Sequence, residues 1–165
     1  MTVRDATADD LARIVEIYNA AIPGRLSTAD TSLVTVESRR AWFGEHNPER
    51  RPLWASTGED GSILGWLSFQ SFYGRPAYDA TAELSVYVAP AWQRHGVARD
   101  LLRRAVAHSP DLGLRTLLGF VFGHNQPSLR LFEGFGFERW GLLPGVAELD
   151  GVERDLVIVG RRVTA

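Results

Sequence analysis

Residues 83–98 read Glu-Leu-Ser-Val-Tyr-Val-Ala-Pro-Ala-Trp-Gln-Arg-His-Gly-Val-Ala. A β-rich stretch, Thr81–Val88, runs into Pro90, and a short basic turn carrying Gly96 then opens a helix over 97–107. Ala98, Leu101, Leu102 and Ala105 fall on one face of that helix, while Arg99, Arg103 and Arg104 can reach water. A further strand follows at Thr116–Phe122. Strand, helix, strand in this order predicts a right-handed crossover between two parallel strands. The helix start also aims unpaired N–H groups and a positive dipole end at an anion, for which phosphate is the usual guest.

The other segments fit around that unit. Thr7-Ala-Asp-Asp10 reads as a capping box, and Leu11, Ile14, Val15 and Tyr18 then recur at helical spacing up to Pro23-Gly24. Residues 24–34 are small and polar and read as a loop. A second helix begins near Thr35 and includes Arg40, Trp42 and Phe43. Leu53–Ser56 and Ile63–Phe69 read as strands joined by the turn residues 58–61. Pro127 suits a first helical position, which predicts a helix through Glu133 ended by Gly134 or Gly136. Strands at 137–143 and 156–163 complete the chain, with a turn at Asp150-Gly151. The pattern predicts an α/β fold, a mixed sheet with helices on both faces.

Composition narrows the function. At 165 residues the chain suits a single domain, 1–165, with a sizeable core. A net charge of −2 offers no electrostatic footprint for nucleic acid. The absence of cysteine excludes disulfides, thiolate metal sites and a cysteine nucleophile, and suits a cytoplasmic protein. No apolar run approaches the length of a membrane span, and the first seven residues lack the apolar core of a signal peptide. His46, His95, His108 and His124 have no ligand spacing, so no metal site is readable.

Two features carry candidate chemistry. In Gln93-Arg94-His95-Gly96-Val97-Ala98 the glycine lets the backbone approach a ligand, and Arg94 and Arg99 add charge. The run matches neither a P-loop nor a dinucleotide fingerprint, and a plain glycine-bearing helix start stays open as the alternative. In the strand before it, alternation puts Thr81, Glu83, Ser85 and Tyr87 on one face and Ala82, Leu84, Val86 and Val88 on the other. The first face is either solvated or a row of functional groups leading to the cradle.

Gln93–Ala98 resembles the pyrophosphate loop of the GNAT superfamily of acetyl-CoA-dependent N-acetyltransferases. Asn125-Gln-Pro-Ser-Leu-Arg-Leu-Phe-Glu-Gly-Phe-Gly-Phe137 is similar to the superfamily's second signature. Within it, Ile17–Ile22, Arg39–Phe43 and Tyr78–Val88 resemble the phosphinothricin and methionine sulfoximine acetyltransferase group. The resemblance implies the acyl-CoA N-acyltransferase fold, a mixed and mostly antiparallel sheet whose central parallel strands splay. It implies acetyl-CoA as acyl donor, no metal, a small-molecule amine as acceptor, and a homodimer with the site near its interface. Trp42, Phe43, Trp66, Phe69, Phe72 and Tyr73 lie around the segments that flank the site, and are expected either at that interface or in the core.

The resemblance also implies roles. Glu83 carries over as the general base. A backbone N–H within Val86, Tyr87 and Val88 faces the developing oxyanion, and the pantetheine arm lies in the splay. Asn125 and Ser128 contact the arm, although Asn125 suits a helix cap equally. Arg75 and Tyr78 fall in the substrate region, where Arg75 is either an acceptor contact or a solvated charge. Phe132 stands where relatives carry His or Tyr, so the proton for the departing thiolate comes from Tyr87 or from solvent. The expected reaction is acetylation of an amino-acid analogue. A protein N-terminus, a polyamine, an aminoglycoside or a non-catalytic acyl-CoA-binding module are the rivals.

Overall fold

The computed structural model describes residues 1–164. It opens with a strand that the sequence pattern does not announce, β1 (Thr2–Asp5). Four residues with two charges show no apolar alternation; pairing against Trp54–Thr57 makes the strand. The Arg4 guanidinium pins it by donating two bonds, 2.7 and 3.0 Å, to the Asp10 carboxylate at the foot of the first helix. Those bonds hold the Asp10 carboxyl below the usual carboxylate range.

Two helices follow, α1 (Leu11–Ala21) and α2 (Val36–Gly44). The Thr35 hydroxyl caps the second, accepting the Ser38 N–H at 3.0 Å. Strands β2 (Leu53–Thr57) and β3 (Ile63–Ser71) form the expected hairpin. The crossover is β4 (Thr81–Val88), α3 (Val97–His108) and β5 (Thr116–Phe122). Helix α4 (Gln126–Gly134) leads to a long hairpin, β6 (Glu138–Leu149) and β7 (Val152–Arg162). Both strands outrun their apolar cores. Pairing lapses around Pro144 and resumes at Ala147 opposite Arg154, before the turn at Asp150-Gly151.

The sheet order is β1-β2-β3-β4-β5-β7-β6, with β4 and β5 its one parallel pair. On one face Ile14 and Ile17 of α1 pack on Ala55 and Trp66, and the Trp66 indole N–H donates to the Ile14 carbonyl at 3.1 Å. On the other, Leu101, Leu102 and Leu129 from α3 and α4 pack on Leu67, Phe69, Leu84 and Leu117. Val97 joins that buried face, whereas Ala98, assigned to it by spacing, is half-exposed and lines a cavity. Of the aromatics that suit an interface or the core, Trp66 and Phe69 are core, and Trp42 and Phe43 are half-buried against it.

Gly65 sets where α3 begins. A Cβ there would lie 2.9 Å from both the Tyr87 carbonyl oxygen and the Val97 side chain. Only a bare backbone lets the first turn of α3 press onto β3 beside β4. Gly65→Ala should therefore cost roughly 1–3 kcal/mol by overpacking, read as a fall in the denaturation midpoint. An unchanged midpoint would show that Val97 yields freely.

The splay is visible in the ladder. β4 and β5 pair from Thr81↔Thr116 to Glu83↔Leu118 and no further. Antiparallel pairing alternates the direction of the backbone groups. Ala89 N–H bonds to Leu64, and Ala80 accepts from Arg115 and Thr116. Odd-numbered residues of β4 thus bond to β3, and even-numbered ones point toward β5. Beyond Glu83 the N–H groups of Val86 and Val88 open into the gap. On the other wall, Gly123 N–H bonds to Asp155 of β7, which leaves the Phe120 peptide facing the same gap.

Candidate active site

The gap between β4 and β5 widens into two adjoining cavities of about 420 and 570 Å³. Val86, Tyr87, Asn125 and Ser128 line both. Glu83 and Phe132 line the first; Val88, Gln93, Arg94, Gly96, Val97, Ala98 and Arg99 line the second. The fold thus gathers most of the residues singled out from sequence into one continuous hollow. His95 sits at its margin, its ring beside Trp92 and its Nδ1 2.8 Å from the Gln93 carbonyl.

Glu83 stands where the ladder ends. It is half-buried, and among the described residues its carboxylate has neither an ion pair nor a side-chain hydrogen bond. Burial alone pushes its carboxyl above the ordinary value. That makes it a stronger base than an exposed carboxylate.

The turn at the far end has the shape of an anion cradle. Arg94 and Gly96 take positive φ, 63° and 82°, and α3 starts directly after. The first α3 bond, from Asp100 N–H to the Gly96 carbonyl, measures 3.0 Å, so the N–H groups of Val97, Ala98 and Arg99 have no intrahelical acceptor. A Cβ at Gly96 would meet nothing within 4 Å. The left-handed conformation, and not crowding by neighbouring atoms, therefore calls for glycine here. The space, the donors and the two arginines fit a diphosphate, and the unpaired peptides of the gap fit the amide-bearing arm of coenzyme A.

Other residues are held by contacts that bear on the roles expected of them. Asn125 is a helix cap: its Oδ1 accepts from Ser128 N–H and its Nδ2 donates to the Leu26 carbonyl, both at 3.2 Å. Tyr87 donates its hydroxyl proton to the Ser27 carbonyl at 2.9 Å. Burial raises the Tyr87 phenol well above its usual range, which makes it a weak acid. Phe132 is core, 4 % exposed, packed edge-on against Phe137. Arg75 and Tyr78 lie outside both cavities, in an exposed turn with Tyr73.

Sequence reasoning missed the lid. The stretch 25–29, legible only as polar loop, lies across the gap, with Leu26 and Ser27 lining both cavities. Side chains tie it down: Tyr87, Asn125 and His124, whose Nε2 lies 2.8 Å from the Arg25 carbonyl, bond its backbone carbonyls, while Asp150 accepts from the Arg25 guanidinium at 2.9 Å and the Tyr18 hydroxyl bonds that of Thr28 at 2.5 Å. A carbonyl can only accept, so His124 carries its proton on Nε2. Little in residues 25–29 themselves signals this, because the bonds from Tyr87, His124 and Asn125 end on backbone carbonyls. Among the described residues, no group of three or more His, Asp or Glu side chains is placed to hold a metal, and no helix is long and apolar enough to cross a membrane.

Comparison with known proteins agrees with this geometry. The model of the acetyltransferase (GNAT) family matches residues 11–137. YwnH of Bacillus subtilis, provisionally named a phosphinothricin acetyltransferase, is 50 % identical over 164 residues, covering 99 % of this chain and 100 % of YwnH. The L-amino acid N-acyltransferase MnaT of Escherichia coli is 31 % identical over 96 % of this chain and 92 % of its own. The structure of YncA from Salmonella typhimurium, solved with its cofactor acetyl-CoA, superposes with a TM-score of 0.92 at 30 % identity, covering 100 % of this chain and 95 % of that one.

Proposed function

Because the chain belongs to the GNAT family of acetyl-CoA-dependent N-acetyltransferases, we propose that it acetylates the primary amine of a small amino-acid analogue of the phosphinothricin or methionine sulfoximine type, with Glu83 as general base. The observation that carries this reading is the lone, half-buried carboxylate of Glu83 at the point where β4 leaves β5. Most amines are protonated at neutral pH, and attack needs the neutral form. Glu83 takes that proton, directly or through a water. The Val86 or Val88 N–H meets the oxygen that gains charge; the Tyr87 N–H is spent on β3. Arg94, Arg99 and the first N–H groups of α3 hold the phosphates of acetyl-CoA, and Asn125 and Ser128 border the channel for its arm. When bound, acetyl-CoA supplies a thioester, whose thiolate is a tolerable leaving group. We assign the thiolate's proton to solvent, since the Tyr87 hydroxyl is committed to Ser27 and its acidity is lowered.

Glu83 is the one acidic side chain lining either cavity, which disfavours polyamines and aminoglycosides. Arg75 lies outside both cavities, in the exposed turn that follows β3; it serves the acceptor's carboxylate only by reaching in from that turn, where its planar fork suits two parallel bonds. The test is a thiol-release assay with acetyl-CoA across amines, including phosphinothricin, methionine sulfoximine, other amino acids and their amides. Turnover of the amino-acid analogues ahead of polyamines and aminoglycosides is expected. Amides turned over as well as the acids would remove the Arg75 clamp, and no turnover of any amine would leave a binding module.

We also propose a homodimer, on different grounds from the aromatics first considered. Trp140, Leu142, Leu143 and Val146 of β6 and Val152 of β7 are each more than 40 % exposed, apolar side chains along one hairpin that a second copy would take out of water. Light scattering at micromolar concentration should give twice the chain mass; the single-chain mass would refute it.

A further inference from the structure

A third, smaller cavity lies on the α1/α2 face of the sheet. Its volume is about 150 Å³, the size of an engineered cavity that holds benzene. Its floor is set by the β3–β4 register, in which Gln70 opposes Glu83, Ser68 opposes Ser85 and Trp66 opposes Tyr87. These three cross-strand pairs form one row on one sheet face. The cavity begins at Gln70, beside Glu83, and runs beneath Ile14, Val15 and Trp42. It meets the main hollow at Ser85 and Tyr87, which line both.

Ser68 gives this cavity a chemical preference. Its side chain is fully buried, lines the cavity, and its hydroxyl has no hydrogen-bond partner. A buried, unsatisfied hydroxyl is costly, which marks a donor waiting for an acceptor. Ser85 and the Gln70 amide add further polar atoms to the floor. The charge at the cavity wall is balanced, because Arg39 donates to Asp30 at 3.0 Å and stacks over the Tyr18 ring. Apolar walls around a polar, uncharged floor suit a compact side chain that carries an oxo group.

We propose that this cavity receives the acceptor's side chain, and that Ser68, backed by Ser85, selects an amino acid whose side chain bears a hydrogen-bond-accepting oxygen. The assignment rests on the acetyltransferase reading with Glu83 at the amine. Residues two apart on a strand stand about 7 Å apart, and an amine at Glu83 with a side chain of four or five heavy atoms spans that interval. A site built around a hydrogen bond rejects an analogue that lacks the group, because its own donor is then stranded.

The test compares methionine sulfone with norleucine, a chain of similar length without the oxygens. The readout is the ratio of their kcat/KM values in the thiol-release assay. The wild type should favour the sulfone at least tenfold. Ser68→Ala should cut that ratio by roughly tenfold, the worth of one good hydrogen bond, and Ser85→Ala should lower it less. A ratio unchanged in both variants, with the sulfone still acetylated, overturns the subsite and leaves the acetyltransferase reading intact. If neither amino acid is acetylated while another amine is, the acceptor reading fails and this proposal with it. Should Ser68→Ala fail to fold, judged by its thermal melt, the half-buried Ser85→Ala decides: an unchanged ratio there overturns the proposal.

Discussion

Glu83→Gln is expected to lower turnover by roughly 10²–10⁴-fold, the usual worth of a positioned general base, while acetyl-CoA still binds. The deficit should shrink at high pH, where more of the amine is already neutral. Stability should move in the opposite direction. Burial raises the Glu83 carboxyl above its ordinary value of 4.5, so the folded state favours the protonated form. A raised pKa contributes stability that is full below the unfolded value and lost as pH rises through the folded one. At neutral pH the wild type carries an ionised, unpartnered carboxylate, whereas the glutamine variant cannot ionise. The variant should therefore melt at a higher temperature than the wild type at pH 7, and the gap should close toward pH 4. Wild-type turnover at neutral pH would remove Glu83 from the mechanism. A variant that melts lower at pH 7 would mean that the carboxylate has a stabilising partner.

Gly96→Val should weaken acetyl-CoA binding at least tenfold, which is about 1.4 kcal/mol. At φ 82° a residue with a Cβ is strained by roughly 1–2 kcal/mol, and a β-branched one is a genuine outlier. A Cβ here meets no neighbouring atom within 4 Å, so the chain should fold. It relieves the strain by rotating the turn, which swings the N–H groups of the cradle away from a common focus, or it keeps the turn and places two methyl groups in the space meant for phosphate. Titration calorimetry separates binding from stability. Unchanged affinity in a folded variant would show that the phosphates lie elsewhere.

The crossover was the most legible part of the fold, because its periodicities are local: β4 and β5 have the predicted bounds and α3 runs one residue further. β1 was not, since its stability comes from β2 and from the Arg4–Asp10 pair. The cradle was readable as a motif, and alternation put Glu83, Ser85 and Tyr87 on one face. What that face meets was not readable. Whether Ser68 stands opposite Ser85 depends on register, which no single strand contains. The lid was illegible for a related reason: three of its ties are backbone carbonyls, identical in every residue, reached by side chains 60 to 99 positions away.

The early end of the β4–β5 ladder places an edge strand in the interior of the sheet. Exposed edges invite other chains to pair with them. This one is walled by β5 on one side and roofed by residues 25–29, so only a slender chain of amides can enter lengthwise. A protein strand, with a side chain on every residue, is too broad. The fold can thus keep unpaired backbone available in its centre without risking self-association there. The amide hydrogens of Val86 and Val88 should accordingly exchange faster than their neighbours on β3 in the free protein and become protected once the gap is filled.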